Sequence, residues 1–369
     1  METVKFLRES SIEQEFAREL RKRVRDYFKV NNISIHGDYR MYLKTIILLG
    51  VYLAPFIVIL TTPLSPWIAL ILAVVMGVGE AGVGMSIMHD GVHNAYSSKP
   101  WLNKLASSTM LLLGSSIFNW KVQHNFYHHT FTNIFKHDPD ISNLRIIRLC
   151  EHTPLKKFHR YQHFYAFLLY GLLTFAKLFG EIGILHGYNK QGITRRFNLN
   201  PTLQMIRLIS IKIIYFAIML GLPWLLTDFA FWQILIGFTA LHLTAGIIMG
   251  TVFQMAHVVE GTAQPLPDEG NKIKRDWLVH QLQTTSDFGE KNSLLSWYIG
   301  GLDFQIEHHL FQRICHIHYP KIAAIVKATA EEYGVHYNLK PTVFHALASH
   351  FRRLRMLGRG IKEPKIASV

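Results

Sequence analysis

The chain has 369 residues, 49% of them apolar, with 39 Lys and Arg against 25 Asp and Glu and a formal charge of +14. A positive mean hydropathy of +0.15 in a chain with 17% charged residues requires very apolar stretches alternating with charged ones, which argues against a set of soluble domains and for a membrane protein. The basic residues flank the apolar stretches, where they serve topology and anionic head groups, so nucleic acid is excluded as a partner; the two cysteines, Cys150 and Cys315, cannot build a disulfide framework and fit a reducing compartment.

The N-terminal arm, residues 1–42, is charged and helix-prone, and no cleaved signal is expected there. Phe16, Leu20, Val24 and Phe28 recur every four residues, which predicts an amphipathic helix facing either the membrane surface or the rest of the protein. A first hairpin follows over about 43–88. Its first half, 43–62, carries only Lys44 and is long enough to cross a ~30 Å hydrocarbon core. Thr62-Pro63-Leu64-Ser65-Pro66 breaks the helix, and Trp67–Met88 returns. Glu80, set among Gly77, Gly79, Gly82 and Gly84, is an intramembrane carboxyl of the kind that is usually functional or paired. It is a candidate for contact with a bound chain.

The segment 89–205 opens on His89-Asp90-Gly91-Val92-His93 and continues to His124-Asn125-Phe126-Tyr127-His128-His129. Histidines four apart on an α-helix sit ~40° apart around its axis, and a following histidine adds a ring ~100° away. Residues 101–118 and 161–179 are apolar but bordered by these strings or by charge, and are read as helices in the interface or packed on the bundle. A second hairpin spans about 206–255. Lys212 lies near its entry and is expected to snorkel, Trp224 and Trp232 flank its turn, and His242 sits mid-span as a hydrogen-bonded core histidine. His257 follows directly.

The C-terminal segment, 256–369, carries Gln305-Ile306-Glu307-His308-His309. Neither hairpin tip carries Lys or Arg, whereas the arm, the central segment and the tail are basic. This places both termini and all three strings on the cytoplasmic side. The expected fold is an all-α integral membrane domain, with four transmembrane helices as two hairpins and a cytoplasmic helical cap holding the histidines. Three strings brought together hold more imidazoles than one metal can use, which points to a binuclear site. Imidazole suits iron, copper, zinc and nickel.

These strings, with Asn119-Trp120-Lys121 before the second and His137-Asp138-Pro139-Asp140 after it, resemble the membrane-bound fatty acid desaturases and hydroxylases with three histidine boxes. The resemblance covers nearly the whole chain. Gln305 in place of the first histidine of the third box, within Gly301-Leu302-Asp303-Phe304-Gln305-Ile306-Glu307-His308-His309-Leu310-Phe311, is similar to the front-end branch and to bacterial linoleoyl-CoA desaturase-like proteins. It implies two iron ions held by His89, His93, His124, His128, His129, His257, His308 and His309. Gln305 would bind weakly or hold a water beside the metal. Asp90, Asp138, Asp140 and Glu307 would orient ligand rings, and Trp120 and Lys121 would lie near the acyl chain.

The implied reaction is insertion of a cis double bond into a fatty acyl-CoA or acyl-lipid. It uses O2 and two electrons from a separate donor of ferredoxin or cytochrome b5 type, because no His-Pro-Gly-Gly haem signature occurs. A hydroxylase on the same scaffold is the alternative. A histidine-lined metal transporter fits poorly, since only Glu80 and His242 stand within the spans. Lys121, Arg145, Arg148, Lys156 and Lys157 form a basic rim suited to CoA phosphates, to head groups, or simply to positive-inside charge. The remaining histidines are read as surface or satisfied core residues, and the bacterial inner membrane is the expected location.

Overall fold

The computed structural model describes residues 4–142 and 146–363; Arg145 of the basic rim lies outside them. Among the described residues the regular elements are helices and four two-residue strands. The chain forms two compact units interleaved in sequence: one of residues up to Gly37, Gln123–Ala166 and Val252 onward, the other of Asp38–Val122 and Phe167–Thr251.

In the first unit, helix α1 (Ser11–Val30) starts where Ser10 caps it by accepting from Glu13 N–H. Its stripe of Phe16, Leu20, Val24 and Phe28 is buried against Leu278, Leu282, Phe304, Tyr319, Ile322 and Val326. The amphipathic arm therefore packs on protein. Two parallel pairings, Lys5–Phe6 with Lys272–Ile273 and Asp287–Phe288 with Leu339–Lys340, tie distant segments together.

Among the described residues four helices are long and apolar enough to cross a membrane: α2 (Tyr39–Thr61), α3 (Pro66–Val92) and α8 (Pro201–Leu226) of the second unit, and α9 (Phe231–His257), whose residues from Val252 on belong to the first. The intervening helices are α4 (Pro100–Ser108), α5 (Ile117–Trp120), α6 (Gln162–Tyr170) and α7 (Leu173–Lys190). Caps set the entries: Asp38 accepts from Arg40 N–H, Ser65 from Ile68 N–H and Asn200 from Leu203 N–H, with Pro66 and Pro201 opening their helices. The spans outrun their apolar composition. Helix α3 continues through the first histidine string to Val92, α8 begins at Pro201 rather than 206, and α9 ends at His257. Nothing at these ends breaks backbone hydrogen bonding, so helix persists where hydrophobicity stops. Ile46, Trp67, Ile71, Ile213 and Trp232 remain largely exposed, an apolar outer surface of the kind that a bilayer or a partner protein covers. Helices α6 and α7 are bent by 82° at their junction.

Every span contributes one polar residue to a buried layer: Tyr52, Glu80, Tyr215 and His242. The His242 ring meets the Tyr215 hydroxyl at 3.0 Å, and a Glu80 oxygen lies 3.9 Å from His242 Nδ1. Tyr52 donates to Leu112 O at 2.8 Å. Glu80 is fully buried in this layer. The glycines around it serve close packing: a Cβ at Gly77 would stand 2.5 Å from Leu241 O, and one at Gly79 2.6 Å from Tyr52 N. Lys212 does not snorkel. It is buried and paired with Glu181 of α7 at 2.8 Å, because a complete set of acceptors is available there and the interface is not needed.

Gly79→Ala forces α2 and α3 apart and is expected to lower stability in detergent by about 1–3 kcal/mol. Gly50→Ala, where a Cβ meets nothing within 4 Å, should raise it by up to ~1 kcal/mol through helix propensity. Thermal unfolding of the two variants checks the pair.

Candidate metal centre

The second histidine string does not stand on an ordinary α-helix. Helix α5 runs on as a π-helix over Lys121–His128, whose i→i+5 bonding places positions four and five along on either side of the starting residue. His128 and His129 thus flank His124. The rings of His124 and His128 stack at 5.4 Å, and His129 Nε2 lies 3.1 Å from His124 Nε2. The α-helical spacing read from sequence is corrected here by a wider turn that brings all three rings to one side.

Two more elements of the same unit deliver the rest. His257 stands on the last turn of α9, and His308 and His309 lie on the short helix α11 (Gln305–Leu310); helix α10 (Trp277–Thr284) precedes it. Nitrogens of His128, His257 and His309 lie within 4.8 Å of one another, as do those of His129, His308 and His309. The two groups have His309 in common and together bring five imidazoles close enough to hold metal. All six rings, His124 included, are buried. His89 and His93 belong to the other unit, where both are buried at the end of α3 with ring centroids 4.8 Å apart.

Three of these rings are aimed by what grips their other nitrogen. His128 Nδ1 meets Asp138 at 3.1 Å and Asp140 at 3.5 Å. Burial pushes this imidazole's pKa down, but the two carboxylates outweigh it and leave a net rise. Asp140 thus stands beside Asp138 at the His128 ring. His309 Nδ1 donates to Gln281 Oε1 at 2.8 Å, with Thr132 Oγ1 at 3.2 Å. His308 Nδ1 pairs with the Tyr319 hydroxyl at 3.2 Å. Asn133, at φ +58°, donates from its backbone to Asp138 and from its side chain to His257 O and Thr284 O. Neighbouring His280 donates to Thr132 O, and burial pushes its pKa down to about 3; it is a neutral structural histidine.

Gln305 lies where the sequence placed it. Its amide donates to His257 Nε2 at 2.9 Å, and its Oε1 has no hydrogen-bond partner. His257 Nδ1 and His128 Nε2 are likewise buried without one. Buried polar atoms left unsatisfied cost stability unless a ligand takes them up, and nitrogen and amide donors of this kind fit a transition metal.

Glu307 behaves differently from the expectation. Its carboxylate accepts from Tyr337 at 3.1 Å rather than from an imidazole. Asp287 accepts from Tyr337 at 2.5 Å and from Ile306 N–H at 2.8 Å, holding the start of α11. Burial pushes both acids up, Asp287 to about 6, and the neighbouring Asp287 charge adds to the rise at Glu307. Asp90 is buried, and its carbonyl turns the chain by accepting from Ala95 and Tyr96 N–H. Lys121 is exposed, while Trp120 lies beneath Lys177 Nζ at 4.6 Å. Of the basic rim, Arg148 is buried and spent on the carbonyls of Thr153, Glu151 and Leu357. Lys156 and Lys157 are exposed.

Gln281, Thr132, Asn133, Asp287, Tyr319 and Tyr337 were not singled out from sequence. An Asn and a Thr close behind the second string are a weak signal for the tight turn, but nothing in local spacing marks Gln281. Replacing Gln281 by Leu should weaken metal binding by roughly 10–100-fold, while Gln283→Leu on the same helix should leave it intact. Equilibrium dialysis against ferrous ion reads both, and equal affinities would show that the partner of His309 is immaterial.

Residues 65–341 match the model of the fatty acid desaturase family. The chain is 34% identical to an sn-1 linoleoyl-lipid 6-desaturase of Arthrospira platensis, over 93% of this chain and 92% of that one. It is also 34% identical to the sn-1 linoleoyl-lipid 6-desaturase of Synechocystis sp., covering 93% and 96%. An acyl-lipid (8-3)-desaturase of Physcomitrium patens is 34% identical over 94% of this chain and 72% of its own length. With the family model spanning most of its length and an imidazole cluster of the kind its histidine strings require, the chain belongs to the fatty acid desaturase family and is an oxidoreductase.

Proposed function

We propose that this protein is a di-iron desaturase of the front-end type, which inserts a cis double bond between an existing one and the carboxyl end of an acyl chain carried on a membrane lipid. The observation that carries this reading is the pair of imidazole triads that include His309, with His128, His309 and His308 backed by Asp138, Gln281 and Tyr319 respectively. His89 and His93 complete the ligand set, supported by their spacing and their burial at the end of an apolar span. The lipid carrier follows the names of the relatives, which act on linoleoyl-lipid and acyl-lipid substrates.

Two iron ions sharing the reduction of dioxygen supply an oxidant strong enough to break an unactivated methylene C–H bond. Overall, one –CH2–CH2– unit, O2, two electrons and two protons give –CH=CH– and two waters. The electrons come from a separate donor of ferredoxin or cytochrome b5 type. The protein's residues ligate with neutral nitrogens, which add no anionic charge, and keep water away by complete burial of the rings. Gln305 stands at the edge of this set as a weak oxygen donor or the holder of a water. The chain forms one membrane domain whose two hairpins cross the bacterial inner membrane, with both termini and all boxes in the cytoplasm. The distribution of Lys and Arg supports that orientation.

Expression in a host that makes linoleoyl lipids, followed by gas chromatography with mass spectrometry of the lipid acyl groups, tests the activity. A new double bond on the carboxyl side of the existing one is expected, and His128→Ala should abolish it. Hydroxylated chains without a new double bond would contradict the reading. Gln305→Ala should lose most activity and part of the iron. Gln305→His, which offers a stronger nitrogen donor, should keep its iron with reduced or altered turnover. Full activity and iron in Gln305→Ala would make the residue a bystander.

A further inference from the structure

A buried ion pair of the second unit makes its hydrogen bonds to no residue of the three histidine strings among the described residues. Lys212 of α8 and Glu181 of α7 are 6% and 3% exposed, with Nζ 2.8 Å from Oε2. Lys212 also donates to Gly114 O at 2.6 Å and to Lys177 O at 3.4 Å. Both oxygens of Glu181 accept from Ser116 N–H at 3.1 Å. The Glu181 carbonyl accepts from Asn119 Nδ2 at 3.0 Å. One turn earlier on α7, Lys177 covers the Trp120 ring.

Burying two charges is expensive, and a well-packed apolar pair of similar volume often serves stability equally well. What a charged, fully hydrogen-bonded pair adds is direction. Every partner outside α7 and α8 belongs to the short stretch 114–120. Gly114 turns the chain at φ +64°, where a Cβ would strike the Tyr215 ring. Ser116 caps α5 by accepting from Asn119 N–H at 3.2 Å. Helix α5 then continues without a break into the π-helix that carries His124 and His128. The side chains of the pair hold Gly114 O and Ser116 N–H at the start of this helix, while the Glu181 backbone carbonyl and Lys177 hold Asn119 and Trp120.

We propose that Glu181 and Lys212 are positioning residues for the second histidine box, acting through the start of α5. This rests on the reading of His124, His128 and His129 as metal ligands. Four variants separate positioning from packing: Glu181→Gln, Lys212→Met, the conservative Lys212→Arg, and the double Glu181→Leu/Lys212→Met. Three measurements are made on the whole protein in detergent: thermal unfolding, ferrous-ion binding, and hydrogen exchange of amides 117–124.

The single charge removals should lower the unfolding temperature, because each leaves an uncompensated buried group. Lys212→Arg should behave as the parent. The double variant should recover the unfolding temperature, yet bind ferrous ion at least ~10-fold more weakly and exchange amides 117–124 at least ~10-fold faster. Parent-like exchange and affinity in the double variant would overturn the proposal and reduce the pair to packing. If the parent itself fails to bind ferrous ion, the ligand reading fails alone. Faster exchange in the double variant would still support the positioning role, and unchanged exchange would still overturn it.

Discussion

The constraint on which this structure depends is the hydrogen-bond accounting of buried imidazole. A ring has two nitrogens, and a buried one left unpaired costs stability. Here Nδ1 of His128, His308 and His309 is taken by Asp138, Tyr319 and Gln281 respectively. With one nitrogen fixed, the ring plane is fixed and the other nitrogen can point in only one direction. Six histidines from three segments of the first unit can then share a small volume without collapsing onto one another. The same logic explains why the supporting residues are themselves over-determined: Thr132 bonds His128 O and Gln281, and Asn133 bonds three separate segments.

The apolar spans supply a different kind of precision. Their outer faces carry little specific information, but their inner faces are tied at a single layer by Tyr52, Glu80, Tyr215 and His242. Glycines bring α3 against α2 and α9 closely enough that backbones touch. A helix so fixed in register ends at a defined height, and the first histidine string is the final turn of α3.

Much of this was legible in the sequence, and the limits are physical. The four spans, the histidine strings and the arm's apolar stripe all follow from composition and period, which are local properties. The π-helical turn at Lys121–His128 was not legible, because the same residues fit an α-helical spacing and the extra backbone width is decided by packing. Lys212 looked like a snorkelling lysine because its partner, Glu181, lies thirty-one residues earlier on a helix that composition assigned to the interface. Glu307 looked like a ring-orienting carboxylate because it adjoins His308, yet its side chain leaves the opposite way toward Tyr337 and Asp287. Gln281 carries no signal at all. Its importance comes from tertiary contact alone.

The central claim is that the buried imidazoles hold two irons through nitrogen. X-ray absorption at the iron edge of the purified, active protein tests it most directly, together with a metal count. The account predicts two irons per chain, a coordination shell of light atoms dominated by imidazole nitrogen, and no sulfur, since no cysteine lies among the residues that build the site. One metal per chain, a sulfur shell, or zinc in protein that is nonetheless active would contradict it.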